Sequence, residues 1–292
     1  MRTSPDSTAS SPSCAGRTCM ESIHQISLYG SDKRQLMLGK LFEEAGIPVN
    51  YLNESGKIPE ITGCQLPPTG MTILLPLPCP AALQDMILSY VEPDQQILGG
   101  NLSTSFVEKC THSGAKVYDY LKSPSVVIHN AVATAEGAIC EAIQHSSWNL
   151  HGNDCLVMGY GRCGSVLANR LSGMGCHVTV SARDIIKIAQ AETYGYDILT
   201  TETELSRFRF LFNTIPAPVI DKSFLQQLAP EVTIIDIASA PGGCDFDYCR
   251  EHEISAHLCL GLPAKYAPKS SAEIIFRHIQ EIFQLQSKGK MP

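Results

Sequence analysis

The chain has 292 residues, enough for two domains of ordinary size, each with its own core. Hydrophobic residues make up 44% and charged residues 17%, which excludes a fibrous or disordered chain, and no apolar run approaches the roughly 20 residues of a membrane span. The formal charge of −7 argues against binding along a nucleic-acid backbone, and nine histidines do not reverse it.

Residues 1–21 are rich in Ser, Thr and Pro and lack the apolar core of a secretory signal, so they read as a disordered leader. The domain predicted over 22–130 begins with ISLYG as a strand, a helix from Asp32 to Ala45, and PVNYL as the next strand. Gly46 and Pro48 close that helix, Gly just past its end and Pro soon after. Short apolar runs at 71–77 and 96–99 read as parallel strands, with a helix from Ala81 to Tyr90 between them. A connecting helix is expected within 131–150, running from Ala131 to Ser147 and opened by Thr134 and Glu136.

The domain predicted over 151–265 opens on the most informative stretch, DCLVMGYGRCGSVLANRLSGMGCHVTVSARD at 154–184. A strand runs into Gly159, Gly161 and Gly164, spaced G-x-G-x-x-G, and Ser165 to Leu171 read as a helix. The first glycine allows the turn, the second lets backbone amides meet a pyrophosphate, and the third lets helix and strand pack closely. Tyr160, Arg162 and Cys163 share that turn. At the end of the next strand, where an NAD enzyme places a carboxylate on the ribose, stand Ser181 and, two residues later, Arg183. A hydroxyl and a guanidinium bind a 2′-phosphate, so NADP is favoured over NAD.

Further alternation follows: a helix from Ile185 to Tyr194, strands in 209–213, 232–237 and 254–258, and a helix near 222–228. The whole reads as α/β, two doubly wound parallel-sheet domains, flavodoxin-like then Rossmann. Ligands of such sheets bind outside the carboxyl ends of the strands, which selects Asn213, Thr214, Ile215 and Pro216, then Asp236, Ala238 and Ser239, as the cofactor rim. Asn213 and Asp236 have the alternative of capping their own loops. The last helix, 271–286 within the segment 266–292, carries Ile274, Ile275, Ile279 and Phe283 on one face and is expected to return to the first domain. The twelve cysteines are scattered without C-x-x-C pairs and read as reduced thiols. Cys244, Cys249, His252 and His257 match no common zinc spacing, so no metal is expected.

GYGRCG with SARD, NTIPAPVID, IIDIASAPGGCDF and GLPAKYAPKSSAEII, in that order, resemble the A subunits of dipicolinate synthases of spore-forming bacteria. The likeness extends to GSDKRQ at 30–35, LPLP at 75–78 and NAVATAEGA at 130–138, with Ser31 where that family's first turn would carry a second glycine. The resemblance implies a fold like that of D-2-hydroxyacid dehydrogenases and an NADP-linked oxidation of dihydrodipicolinate to pyridine-2,6-dicarboxylate. It also implies a flavoprotein-like B subunit as partner and a cytoplasmic location in the mother cell of a sporulating bacterium. Within those motifs Lys33, Arg34 and Lys269 are cations for a small dicarboxylate, and Asn130 and Thr134 a second contact, with the amides near Thr134 and Gly137 at a helix N-terminus. Glu136, if buried, is the expected base, with Lys269 as a second catalytic residue and His129 as another candidate for the base. No His-Glu pair of the D-2-hydroxyacid dehydrogenase kind stands near the end of the second domain. Another dehydrogenase of this architecture and a non-catalytic NADP-binding subunit remain open, as does a homo-oligomer.

Overall fold

The computed structural model describes residues 23–30, 32–52 and 72–283. The predicted leader, Ser31 and the expected end of the last helix at Gln286 lie outside the described residues.

Two all-parallel sheets organise the described residues. The first has five strands: β1 (Ile26–Leu28), β2 (Val49–Tyr51), β3 (Thr72–Leu74), β4 (Gln96–Gly99) and β5 (Lys116–Asp119), in the order β2-β1-β3-β4-β5. β1 and β3 are buried at every position, as expected of central parallel strands covered on both faces. Helix α1 (Lys33–Glu44) starts at Asp32, whose carboxylate accepts from the Gln35 amide at 2.9 Å. It is followed by α2 (Ala81–Leu88) and α3 (Thr104–His112). Neither α3 nor β5 is among the elements expected from sequence.

The second sheet has six strands: β6 (Asp154–Met158), β7 (His177–Ser181), β8 (Asp197–Ile198), β9 (Phe210–Asn213), β10 (Thr233–Asp236) and β11 (Ser255–Leu258). Their order, β11-β10-β9-β6-β7-β8, reverses direction between β6 and β9, as in a dinucleotide-binding sheet. Helices α5 (Arg162–Gly173), α6 (Ile185–Thr193), α7 (Lys222–Leu225) and α8 (Phe246–Glu251) connect these strands. Between the sheets runs α4 (Pro124–His145), and after β11 come α9 (Leu262–Tyr266) and α10 (Pro268–Phe283).

α4 corrects two expectations. It begins at Pro124, not Ala131, because proline is favoured in the first turn, where its missing N–H has no helical partner anyway. Thr134, Glu136 and Gly137 therefore sit in mid-helix, where amides bond within the helix and offer nothing to an anion. Among the described residues α4 is also the one helix long and apolar enough to cross a membrane, with mean hydropathy 1.3. It packs against α5, α9 and α10, and carries Glu136 and Glu141.

α10 packs on α1 and joins the core of the first sheet through Ala272, Ile275, Ile279 and Phe283. The rings of Phe42 and Phe276 meet edge to face at 5.0 Å, as do those of Tyr118 and Phe283. The chain thus crosses between the sheets twice, by α4 and by the α9–α10 segment, and the crossings touch at Gly137. A Cβ built there would lie 2.8 Å from Leu262 Cβ and 3.0 Å from Tyr266 Cδ2. Gly137→Val overpacks this contact and is expected to lower unfolding free energy by about 1–3 kcal/mol, read from urea denaturation.

Candidate functional site

The site is built at the β6/β9 reversal. β6 runs Cys155–Met158 fully buried and ends at Gly159, which turns with φ +94°. A Cβ on Gly159 would collide with Thr214 Oγ1, and one on Gly164 would collide with the Gly159 carbonyl oxygen. Both positions exclude every other side chain without rearrangement. Gly161 differs: a Cβ there meets no protein atom within 4 Å, and the residue faces a cavity. Its bareness serves whatever approaches from outside. Gly161 also begins α5 without a side-chain cap, which leaves the first-turn amides of Arg162, Cys163 and Gly164 for an anion.

The cavity, about 620 Å³, lies over this turn and falls in the range of small-molecule sites. It brings together Gly159, Tyr160 and Gly161, Ser181 and Arg183 after β7, and Thr214, Ile215 and Pro216 after β9. Lys187 also lines it, one helical turn beyond Arg183 on α6, and was missed from sequence although its spacing on a predicted helix was visible. Asp184 lines it too, but one carboxylate oxygen caps α6 by accepting from the Ile186 amide at 2.8 Å. Glycines that close the turn, an uncapped helix start and cations at the far end of one cavity fit a dinucleotide.

Asn213 and Asp236 have a different part from the one expected. Both are fully buried and neither lines the cavity. They are partners in the β9–β10 register, and Asn213 Nδ2 donates to Asp236 Oδ1 at 2.9 Å and to the Ile215 carbonyl at 3.1 Å. Asn213 Oδ1 accepts from the Ile215 amide at 3.0 Å. The Asp236 carboxylate also accepts from the amides of Ala238 at 3.0 Å and Gly243 at 2.7 Å. Thr214 closes the set, its amide and hydroxyl both donating to the Met158 carbonyl at 2.9 Å. These residues shape the rim from behind. Ala238 is buried in that network, and Ser239, exposed, lies outside the cavity wall.

The residues expected to hold substrate separate. Lys33 and Lys269 are exposed, each in the first turn of its helix, α1 and α10, so Lys269 does not precede the last helix as expected. Arg34 is 4% exposed and turned inward: its guanidinium donates to the Leu77 carbonyl and lies 3.8 Å from Asp32. Gln35 beside it donates to the carbonyls of Tyr29 at 2.9 Å and Leu75 at 3.2 Å. Together they fill the crevice between β1 and β3, the reversal point of the first sheet, so Arg34 braces loops instead of presenting a free cation. Asn130 and Thr134 are half-buried, and the Thr134 hydroxyl is spent on the Asn130 carbonyl at 3.1 Å. Glu136 is exposed, so the burial required of it as a base is missing. His129, also exposed, has Nδ1 2.8 Å from the Ser125 carbonyl of its own helix.

A buried carboxylate does exist one turn further along α4. Glu141, 4% exposed, pairs with Lys265 Nζ of α9 at 2.6 Å and lies 3.5 Å from His145 Nε2. Its position on the helix face of Ala138 and Ala142 was the sequence signal. Burial alone would raise its pKa, but the hydrogen-bonded ammonium of Lys265, with the neighbouring Tyr266 hydroxyl, outweighs this and holds it below the ordinary carboxylate value. His145 stacks on His257 at 3.6 Å, and the His257 pKa is lowered by burial and then by that neighbour. The cluster ties α4 to α9, away from the cavity.

Comparison with known proteins agrees with this architecture. Over 187 residues, 63% of this chain and 63% of the relative, the sequence is 30% identical to the A subunit of dipicolinate synthase from Bacillus subtilis. The chain is a relative of the dipicolinate synthase A subunits. The match thus spans less than two thirds of that relative's length. Residues 126–241 match the NAD-binding domain of D-isomer specific 2-hydroxyacid dehydrogenases. The crystal structure of the dipicolinate synthase A subunit from Bacillus halodurans superposes with a TM-score of 0.75 at 24% identity, covering 90% of this chain and 99% of that one. The D-lactate dehydrogenase of Salmonella gives 0.62 at 14% identity, covering 92% and 98%. These two likenesses show the shared fold.

The Glu141 cluster gives a pH test. A carboxyl whose folded pKa is depressed contributes stability above its unfolded pKa of about 4.3 and loses it as pH falls through the folded value. Wild type is therefore expected to be more stable than Glu141→Gln at neutral pH, with the difference shrinking below about pH 4 in urea titrations across a pH series.

Proposed function

We propose that this chain is an A subunit of a dipicolinate synthase, oxidising dihydrodipicolinate to pyridine-2,6-dicarboxylate with NADP. The reading rests on the cavity at the β6/β9 reversal, where the fingerprint glycines meet Ser181, Arg183 and Lys187 in a chain related to such subunits. The dinucleotide, when bound, supplies the hydride acceptor. The α5 amides hold the pyrophosphate, and Ser181, Arg183 and Lys187 hold a 2′-phosphate that a carboxylate in place of Ser181 would repel.

The Ile215–Pro216 edge borders the reacting half and keeps it dry. Lys33 and Lys269, the exposed cations of the neighbouring helices α1 and α10, hold the carboxylates of the substrate. Loss of a hydride and a proton makes an aromatic ring, so the chemistry asks chiefly for orientation. A proton leaving such a ring can pass to solvent or to the exposed Glu136. The proposed setting is the cytoplasm of the mother cell during sporulation, beside a flavoprotein-like B subunit. Where the chain is inactive alone, its part is to bind NADP and position that partner, a reading favoured by the exposure of Glu136.

Purified protein, alone and with the B subunit, is to be mixed with enzymatically generated dihydrodipicolinate and NADP. Reduced cofactor and the aromatic product are expected together; absence of both in both mixtures overturns the proposal. Arg183→Ala is expected to weaken NADP binding by about 1.5–3 kcal/mol while leaving NAD binding little changed, by calorimetric titration. Equal losses for the two cofactors refute the 2′-phosphate assignment.

A further inference from the structure

Cys244 and Cys249 flank the start of α8. Asp245 is the N-cap, its carboxylate accepting from the Tyr248 amide at 3.0 Å, so Cys244 is the residue before the cap and Cys249 the fourth in the helix. Those two positions are the ones whose side chains meet across a helix start, usually as an apolar staple. Here the staple is two sulfurs, 3.6 Å apart, and both thiols are free. Cys249 is buried and Cys244 is half-buried, so the pair lies where the residue before the cap reaches the surface.

The pair sits next to the network that holds the cofactor rim. Gly243, one residue before Cys244, donates to Asp236 at 2.7 Å, and its carbonyl accepts from the amides of Val219 at 3.1 Å and Ile220 at 2.9 Å. One residue after Cys244, the Asp245 amide donates to the Ile220 carbonyl at 3.0 Å. Through Asp236 and Asn213 the same network reaches Ile215 on the cavity wall. A second thiol contact, Cys155 with Cys176, joins two buried residues and has no half-buried member.

We propose that Cys244 and Cys249 form a reversible disulfide that weakens dinucleotide binding, making the α8 staple a redox-sensitive modification site. The oxidant is a hydroperoxide. Cys244 Sγ, its proton taken up by water, attacks one peroxide oxygen; the O–O bond breaks and water leaves, giving a sulfenic acid. Cys249 Sγ then attacks Cys244 Sγ, the S–O bond breaks, and the hydroxyl departs as water with the Cys249 proton. Two thiols lose two electrons and two protons, and hydrogen peroxide becomes two waters. A disulfide needs its sulfurs about 2.05 Å apart, so closing the gap draws the two residues together. Gly243, fixed on three hydrogen bonds beside Cys244, carries that shift to the loops after β9 and β10.

The test uses the full chain and hydrogen peroxide, with alkylation and peptide mapping to locate disulfides and NADP titration to read affinity. Expected are an internal 244–249 disulfide and an NADP affinity at least threefold weaker, both reversed by dithiothreitol, with no affinity change in peroxide-treated Cys244→Ser. Cys244 and Cys249 staying alkylatable while the half-buried Cys140 and Cys163 oxidise overturns the proposal. So does a disulfide that leaves affinity unchanged. Because mapping reads the bond without cofactor, failure of the redox site is distinguishable from failure of the NADP assignment.

Discussion

The buried Asp236 carboxylate is the constraint on which the site depends. It accepts from one side-chain amide and two backbone amides, on Asn213, Ala238 and Gly243, and so binds the loops after β9 and β10 to one another. A buried carboxylate is tolerable only when hydrogen-bonded, and each donor here would be costly to leave unpaired. The arrangement therefore specifies one conformation for two loops whose own backbones have no regular partners. With Thr214 tied to the Met158 carbonyl, the wall opposite the glycine turn is fixed before any ligand arrives.

The two sheets use their reversal points in opposite ways. In the first, Arg34 and Gln35 enter the crevice between β1 and β3 and satisfy the carbonyls of Tyr29, Leu75 and Leu77. In the second, the three glycines keep the crevice bare and α5 keeps its first amides uncapped. The same topological rule thus produces a braced face and an open one, and side chains decide which. Lys33 and Lys269, in the first turns of α1 and α10, stay exposed.

Much of this was legible in the sequence where the constraint is local. The glycine spacing, the strand before it and Ser181 with Arg183 could be read directly, because all lie in one continuous strand–helix–strand stretch, 154–184. Lys187 lies just beyond it and needed only a helical wheel. The inward turn of Arg34 was not legible, since its partner Leu77 is 43 residues away and only the fold brings them together. Asn213 and Asp236 were found as a pair of loop residues, but their mutual bond follows from the β9–β10 register, which no spacing reveals. The early start of α4 was hidden because proline, a breaker elsewhere, is favoured at the position Pro124 occupies. Glu141 was visible as a charge on an apolar helix face, yet its ammonium partner Lys265 lies on α9, 124 residues away.

Amide hydrogen exchange with and without NADP tests the central claim most directly, because it reads every loop at once. The expected result is slower exchange on binding in three segments, 159–165, 181–187 and 213–219, with the strands of the first sheet unchanged. Protection concentrated instead at the loops after β1 and β3, or none at 159–165, would contradict the account.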